Sequence, residues 1–260
     1  VINARVQRDL KQGTKEFWLA SQDNGCYGFD LKTNFAELVE RLLCNEGSFR
    51  IRMGMMSPQY LEHYYDDFVA LFNDDRLYRF IHLPVQSGNN RILSLMRRQY
   101  TIEQFEALVK NLRRDIGDFS LATDIIVGFP TETEEEFLDS VHLVERLSFD
   151  VVNISRYGVR PETTAAQLSQ ISEKEKALRS QALARICRNF FLEKNKKLIG
   201  RKEKVLVVEK AKHSGFVGRT NTYKPMVLSE ALLNEFAMVE ITEAFPNFLK
   251  GVLVGKESMI

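Results

Sequence analysis

The first 160 residues switch repeatedly between two periods of apolar and polar positions. Lys15 to Ser21 (KEFWLAS) reads as a strand, and Phe35, Leu38, Val39, Leu42 and Leu43 then recur at helical spacing. Ser48 to Met55 is a second extended run. Ser57-Pro58 opens a helix expected to reach Phe72, a cap followed by proline at the first helical position. Leu77 to Leu83 is a third strand. Thr101, with Gln104 three residues on, makes a capping-box pattern ahead of the stripe Ile102, Phe105, Val109 and Leu112. Leu121 to Phe129 is the fourth strand. Thr133 with Glu136 makes the next capping box, before Phe137, Val141, Val144 and Leu147, and Phe149 to Tyr157 is the fifth strand. The helical pattern from Asn3 to Lys11 has no strand ahead of it.

Strand and helix repeating about every 30 residues predict right-handed βαβ units and a parallel sheet. Five such strands, apolar on both faces, fit an open or partial (β/α) barrel, since a closed eight-stranded one needs about 250 residues. A repeat that begins on its helix predicts a missing first strand. Ser172, with Glu175 as capping-box partner, opens a long helix to about Lys197, with Leu178, Ala182, Ile186 and Phe190 along one side. After Gly200 come short β-rich runs: Lys204 to Val208, Gly215 to Tyr223, Met226 to Leu228, Ala237 to Thr242 and Leu249 to Val254. Their spacing predicts a small five-stranded barrel of the OB kind. The expected division is a partial barrel over 1–168, a connecting helix over 169–197 and a β-barrel over 198–260.

With 260 residues, 44% of them hydrophobic, the chain can build one large domain and one small one. No apolar run nears the roughly 20 residues that cross a bilayer, and no signal-peptide pattern opens the chain, so a cytoplasmic protein without a membrane partner is expected. The net charge of +1 conceals an asymmetry: Lys194 to Lys256 holds 12 Lys and Arg against 6 Glu, which points to a polyanionic partner. Cys26, Cys44 and Cys187 are too dispersed for a disulfide framework or a zinc site, and no metal ligands are expected. No obligate protein partner is legible. Val1 stands where a start methionine would, which fits a fragment or a processed chain.

In parallel α/β folds, ligands sit beyond the carboxyl ends of the strands. Four of those ends are polar or glycine-rich here: Ser21 to Asn24, His82 to Gly88, Gly128 to Glu132 and Asn153 to Arg160. Asn153, Ser155 and Tyr157 alternate with Val152 and Ile154, which puts three polar groups on one strand face. Singly, each end has a plain structural explanation: His82 held by hydrogen bonds, Asp124 organising a buried network, Thr131 to Glu134 favouring a helix N-terminus. Together they predict a binding rim. No nucleophile, metal cluster or phosphate loop declares a reaction.

His82-Leu83-Pro84-Val85-Gln86-Ser87-Gly88, then Thr123 to Pro130 (TDIIVGFP) with Glu132 to Phe137, then Asn153 to Tyr157 and Arg160-Pro161 with Thr163 and Ala165-Ala166, resemble the radical S-adenosylmethionine (SAM) methylthiotransferases. The motifs stand in the family's order and cover nearly the whole chain. Gly218 to Pro225 (GRTNTYKP) resembles that family's small tRNA-binding TRAM barrel. Arg52 to Pro58 (RMGMMSP) and the Tyr-Lys-Pro resemble its archaeal and eukaryotic-like branch, which converts N6-threonylcarbamoyladenosine at tRNA position 37 to the 2-methylthio form.

The resemblance implies a radical SAM partial (β/α) barrel followed by a TRAM/OB-like barrel. It implies a SAM-binding rim that includes His82, Gln86, Ser87, Gly128, Asn153 and Ser155. On the basic barrel, Lys202, Lys204, Lys212, Arg219, Tyr223 and Lys224 are expected to bind tRNA, with Tyr223 stacking on an unpaired base. For the full-length protein it implies SAM and [4Fe–4S] clusters: one cluster cleaves SAM reductively, the 5′-deoxyadenosyl radical takes hydrogen from C2 of the adenine, and sulfur is inserted, with methyl from a second SAM. The family's CxxxCxxC loop and three further N-terminal cysteines have no match in Cys26, Cys44 and Cys187, so this chain alone is expected to be inactive. Thr131 and Glu162 stand where the family usually has Gly, the residue that tolerates positive φ, which leaves the backbone there an open question. Two other functions stand beside this one: a non-catalytic tRNA-binding module, and a radical SAM enzyme acting on a different substrate. The basic C-terminal barrel argues against a small-molecule substrate.

Overall fold

All strands of the N-terminal part run parallel in the computed structural model, which describes residues 1–212 and 214–254. β1 (Glu16–Leu19) pairs with β2 (Arg50–Met53), while β3 (Phe80–His82), β4 (Ser120–Val127) and β5 (Val151–Arg156) pair in that order. A parallel bridge between Ile51 and Leu77 ties the two groups together. Sequential order and parallel pairing make this the expected partial (β/α) barrel. β3 is shorter than the apolar run that announces it. The chain beyond His82 enters Pro84, which has no N–H to give a ladder.

The helices are α1 (Ile2–Lys11), α2 (Phe35–Leu43), α3 (Pro58–Leu61), α4 (Tyr65–Ala70), α5 (Asn90–Leu95), α6 (Ile102–Ile116), α7 (Glu134–Leu147) and α8 (Glu173–Lys196). Thr101 and Thr133 each form both halves of a capping box. Ser172 forms only one half, because the Glu175 carboxylate turns to Arg179 at 2.9 Å. The helix expected over 58–72 is broken into α3 and α4 with 3-10 turns between and after them. The break falls at Tyr64, whose φ of −145° leaves the helical region and whose hydroxyl donates to the Gly25 carbonyl at 3.0 Å.

Two faces differ from expectation. The outer strand face is apolar, and Ile51, Met53, Ile81, Leu121, Ile125 and Val127 join one large core with the helices. The inner face is not apolar. It carries Glu16, whose carboxylate accepts from the Tyr78 hydroxyl at 2.8 Å, Arg52 against Trp18 and Phe80, and a His82–Asp124–Asn153 line. On α8 the buried stripe is Lys176, Arg179, Leu183, Cys187, Phe191 and Asn195, whereas Leu178 is exposed. The expected stripe is thus turned by about one residue, with Ala182, Ile186 and Phe190 only at its margin. Charged side chains occupy its first turns because partners wait for them. Arg179 meets Glu132 at 2.7 Å in a buried pair, and Lys176 donates to the Tyr157 carbonyl at 3.0 Å.

β6 (Lys202–Lys210), β7 (Phe216–Arg219), β8 (Pro225–Leu228), β9 (Phe236–Ala244) and β10 (Leu249–Leu253) close into a barrel in the order β10-β8-β7-β6-β9. Val205, Val207, Met226, Leu228, Val239, Ile241 and Leu249 fill it. The strand expected through Tyr223 stops at Arg219, because the chain turns back on itself: Thr220 N donates to the Lys224 carbonyl at 3.1 Å, and Tyr223 has φ 65°. Residues 255–260 of the expected barrel, Lys256 among them, lie outside the described residues. Among the described residues no helix is long and apolar enough to cross a membrane.

The small barrel seats against the amino ends of the parallel strands. Arg79 N donates to the Asn221 carbonyl at 2.8 Å, Asn195 Nδ2 to the Phe245 carbonyl at 2.7 Å, and Lys15 pairs with Glu235 at 2.9 Å. Tyr78, Phe80 and Ala122 form a separate apolar cluster against which Tyr223 packs.

Candidate binding site

The strand ladder brings three polar side chains onto one inner surface. Asp124 lies in register with Asn153 across β4 and β5, and His82 with Ala122 across β3 and β4. Asp124 Oδ1 stands 2.9 Å from His82 Nε2 and accepts from Asn153 Nδ2 at 2.7 Å. Burial pushes the Asp124 carboxyl up, but the bonds and charge of His82, with help from Asn153 and Arg98, outweigh it and hold the group below the usual carboxylate range. An ionised carboxylate only accepts, so His82 Nε2 carries the hydrogen and Nδ1 is the nitrogen left for a ligand. Ser155 follows Asn153 on the same face and is exposed.

Gln86, Ser87 and Gly128 do not share that surface. Gln86 is buried at φ 72° and works through its backbone: its N donates to the Asp124 carbonyl at 2.8 Å, and its carbonyl accepts from Ile126 N at 2.9 Å. Ser87 is fully buried, and its hydroxyl accepts from Asn89 N at 3.2 Å. Gly128, at φ 69°, donates to Glu132 Oε2 at 2.8 Å, and any Cβ there would collide with the Lys176 side chain. These three shape the strand-end turns behind the rim, because the turns are pressed onto α7 and α8. Thr131 and Glu162 both have positive φ, 67° and 66°, the conformation that suits Gly.

Among the six basic-barrel residues, Lys202, Lys204 and Lys212 are exposed. Arg219, Tyr223 and Lys224 turn inward. The Tyr223 ring lies 4.8 Å from Tyr78 and 5.3 Å from Phe80, centroid to centroid, and is not presented for stacking on an unpaired base outside the barrel. Lys224 Nζ is 2.8 Å from Asp150 Oδ1, and Lys194 Nζ is 2.7 Å from Asp150 Oδ2. Burial raises Asp150, yet Lys224 and Lys194 outweigh it and hold the carboxyl low, while burial draws Lys194 down too. A buried carboxylate needs such countercharges, and this one takes Lys224 out of the surface charge. His82 and Asn153 also line a cavity of about 470 Å³ between the half-barrel and the small barrel. Arg52, also on its wall, is a site residue that sequence reasoning missed; Arg50 and Arg52 alternating with Ile51 and Met53 were the available signal.

The cysteines do not fit an iron–sulfur cluster. Cys26 and Cys44 are exposed, and Cys187 is buried in α8, where burial pushes its thiol up to about 11, away from the thiolate a cluster needs. Among the described residues no three His, Cys, Asp or Glu side chains are grouped to hold a metal ion.

The Radical SAM superfamily profile matches residues 2–144, and the TRAM domain profile matches residues 196–254. A Pyrococcus horikoshii protein named probable threonylcarbamoyladenosine tRNA methylthiotransferase is 44% identical over 249 residues, which are 96% of this chain and 59% of that protein. The Homo sapiens threonylcarbamoyladenosine tRNA methylthiotransferase is 33% identical over 252 residues, 95% of this chain and 43% of that protein. The chain therefore spans about half the length of the curated relatives it matches. Among solved structures, coproporphyrinogen III oxidase from Escherichia coli aligns with TM-score 0.49 and 16% identity over 80% of this chain and 50% of that one.

Proposed function

The chain belongs to the radical SAM superfamily and carries a TRAM domain behind that barrel, and on this premise we propose that the whole protein is a tRNA methylthiotransferase of the cytoplasm. Its substrate in this proposal is N6-threonylcarbamoyladenosine in tRNA, and its product the 2-methylthio form. The likeness to the Pyrococcus horikoshii and human proteins of that name supports the substrate. The observation that carries the role of this chain is the His82–Asp124–Asn153 array on the inner face of three adjacent strands.

SAM, when bound, supplies the methyl group and the radical chemistry. The residues of this chain hold it. His82 through Nδ1, Asn153 through its amide oxygen and Ser155 through its hydroxyl offer hydrogen-bond partners suited to a ribose or an adenine edge. Asp124 fixes the orientation of the first two. Cys26, Cys44 and Cys187 do not offer a cluster its thiolates, so a cluster serving this reaction draws them from outside these 260 residues. On the small barrel, Lys202, Lys204 and Lys212 are the exposed cations for the tRNA backbone.

Equilibrium dialysis of labelled SAM against the whole protein tests the rim. His82→Ala and Asn153→Ala should each weaken SAM binding about tenfold, the value of one good hydrogen bond, while tRNA binding stays as it was. SAM binding unchanged in both variants would remove SAM from this rim.

A further inference from the structure

Arg52, Arg219, Ser120 and Asn195 all line the cavity between the two barrels. Their unpaired atoms, Arg52 Nε, Arg219 Nε, Ser120 Oγ and Asn195 Oδ1, are themselves too buried for a ligand to reach. The charges around the cavity say what it takes. Lys224 on this wall is matched by Asp150, but Arg52 makes no ion pair among the described residues. Arg219 has only Glu209, at 3.9 Å. Two guanidiniums thus border the cavity with little or no acid of their own.

Aromatic rings hold them there. The Arg52 guanidinium carbon lies 5.0 Å from the ring centroids of both Phe80 and Tyr223, and that of Arg219 lies 4.8 Å from Tyr223. Arg52 and Phe80 belong to the half-barrel, whereas Arg219 and Tyr223 belong to the turn of the small barrel that reverses at Thr220 to Lys224. The site exists only where the two parts meet.

We propose that this cavity binds a purine nucleoside that carries an anion, a phosphate or a carboxylate. Arg52 and Arg219 take the anion through charge-assisted bonds, and the Phe80 and Tyr223 rings, inclined to each other by 53°, give the base an apolar wall. The cavity, about 470 Å³, is of the size that takes such a ligand. Its wall shares His82 and Asn153 with the rim, so the ligand lies beside the group the rim holds. The choice of a purine rests on the tRNA-modifying function proposed above; the choice of an anion rests on the guanidiniums alone. The inward turn of Arg219 and Tyr223 thereby gains a use: the small barrel helps to select the nucleoside as well as to hold the RNA.

Trp18 is the only tryptophan in the sequence, and its ring lies 5.7 Å from the Arg52 guanidinium carbon, so its emission reports on the site. The 260-residue chain is titrated with adenosine 5′-monophosphate, N6-threonylcarbamoyladenosine, adenosine and inorganic phosphate. At least one of the two charged nucleosides should saturate at concentrations tenfold or more below adenosine and phosphate, and which one does so identifies the anion. Arg52→Gln should raise that Kd tenfold or more, with Arg219→Gln as the second variant should the first fail to fold, and Lys110→Gln, on the exposed face of α6 away from the cavity, should leave it unchanged. Phosphate binding as tightly as the nucleotide would remove the purine from the proposal. A Kd unmoved by both arginine variants, or no saturable response to any titrant, would overturn the site, and the SAM dialysis would still judge the rim separately.

Discussion

Thr131 and Glu162 hold side chains at φ 67° and 66°, where a Cβ costs about 1–2 kcal/mol. Glu162 is exposed, so Glu162→Gly should raise stability by about 0.5 kcal/mol once the added freedom of the unfolded chain is subtracted. Thr131→Gly should gain less, because Arg91 Nη1 loses its 3.1 Å bond to Thr131 Oγ1. Urea midpoints decide this, and a fall for Glu162→Gly would contradict it. At this scale alternation was legible within β5, where Asn153 and Ser155 share a face, whereas the meeting of His82, Asp124 and Asn153 depends on the register of three strands, which no local pattern fixes. Ser87 and Gly128 were not legible either, since their burial depends on helices that arrive later in the chain. A Cβ on Gly88 would come within 2.5 Å of Ser140 N, which shows how tightly that turn is pressed onto α7.

The faces of α8 and β6 make separate predictions. Leu183, fully buried, should cost about 2–5 kcal/mol as Leu183→Ala, while Leu178→Ala should stay within about 0.5 kcal/mol. Equal losses would restore the face that the apolar spacing alone suggests. That spacing misled because Lys176 and Arg179 are buried here, and a stripe carried by charged residues is invisible until Glu132 and the Tyr157 carbonyl are placed opposite them. Strand and helix order, and the capping boxes at Thr101 and Thr133, were legible because their signals are local. On β6 and just beyond, replacing Lys202, Lys204 and Lys212 with Gln should flatten the salt dependence of tRNA binding, by about 0.7–0.9 in log–log slope for each phosphate that is no longer neutralised. An unchanged slope would place the RNA elsewhere on the molecule.

Across the whole molecule, Asp150 with Lys194 and Lys224 fastens the small barrel to the half-barrel. Asp150→Asn leaves two cations without their partner and should cost about 3 kcal/mol at neutral pH. The folded-state carboxyl is held below its ordinary value of about 3.9, so its contribution is complete above that pH and fades as pH falls through the lowered native value. The stability gap between wild type and variant should therefore start to narrow as pH falls below about 4 and go on narrowing down to the lowered native value; a gap that does not narrow over that range would mean that Asp150 acts through packing instead of charge. The two-part architecture was legible from the change of texture after Gly200, but the docking was not. Tyr223 and Lys224 read as free surface residues because their partners, Tyr78 and Asp150, lie far away in sequence. The assignment of function is tested most directly by mass spectrometry of tRNA nucleosides from cells that make or lack this protein. Deletion should abolish the 2-methylthio form and let N6-threonylcarbamoyladenosine accumulate in its place, and an undiminished 2-methylthio pool would contradict the assignment.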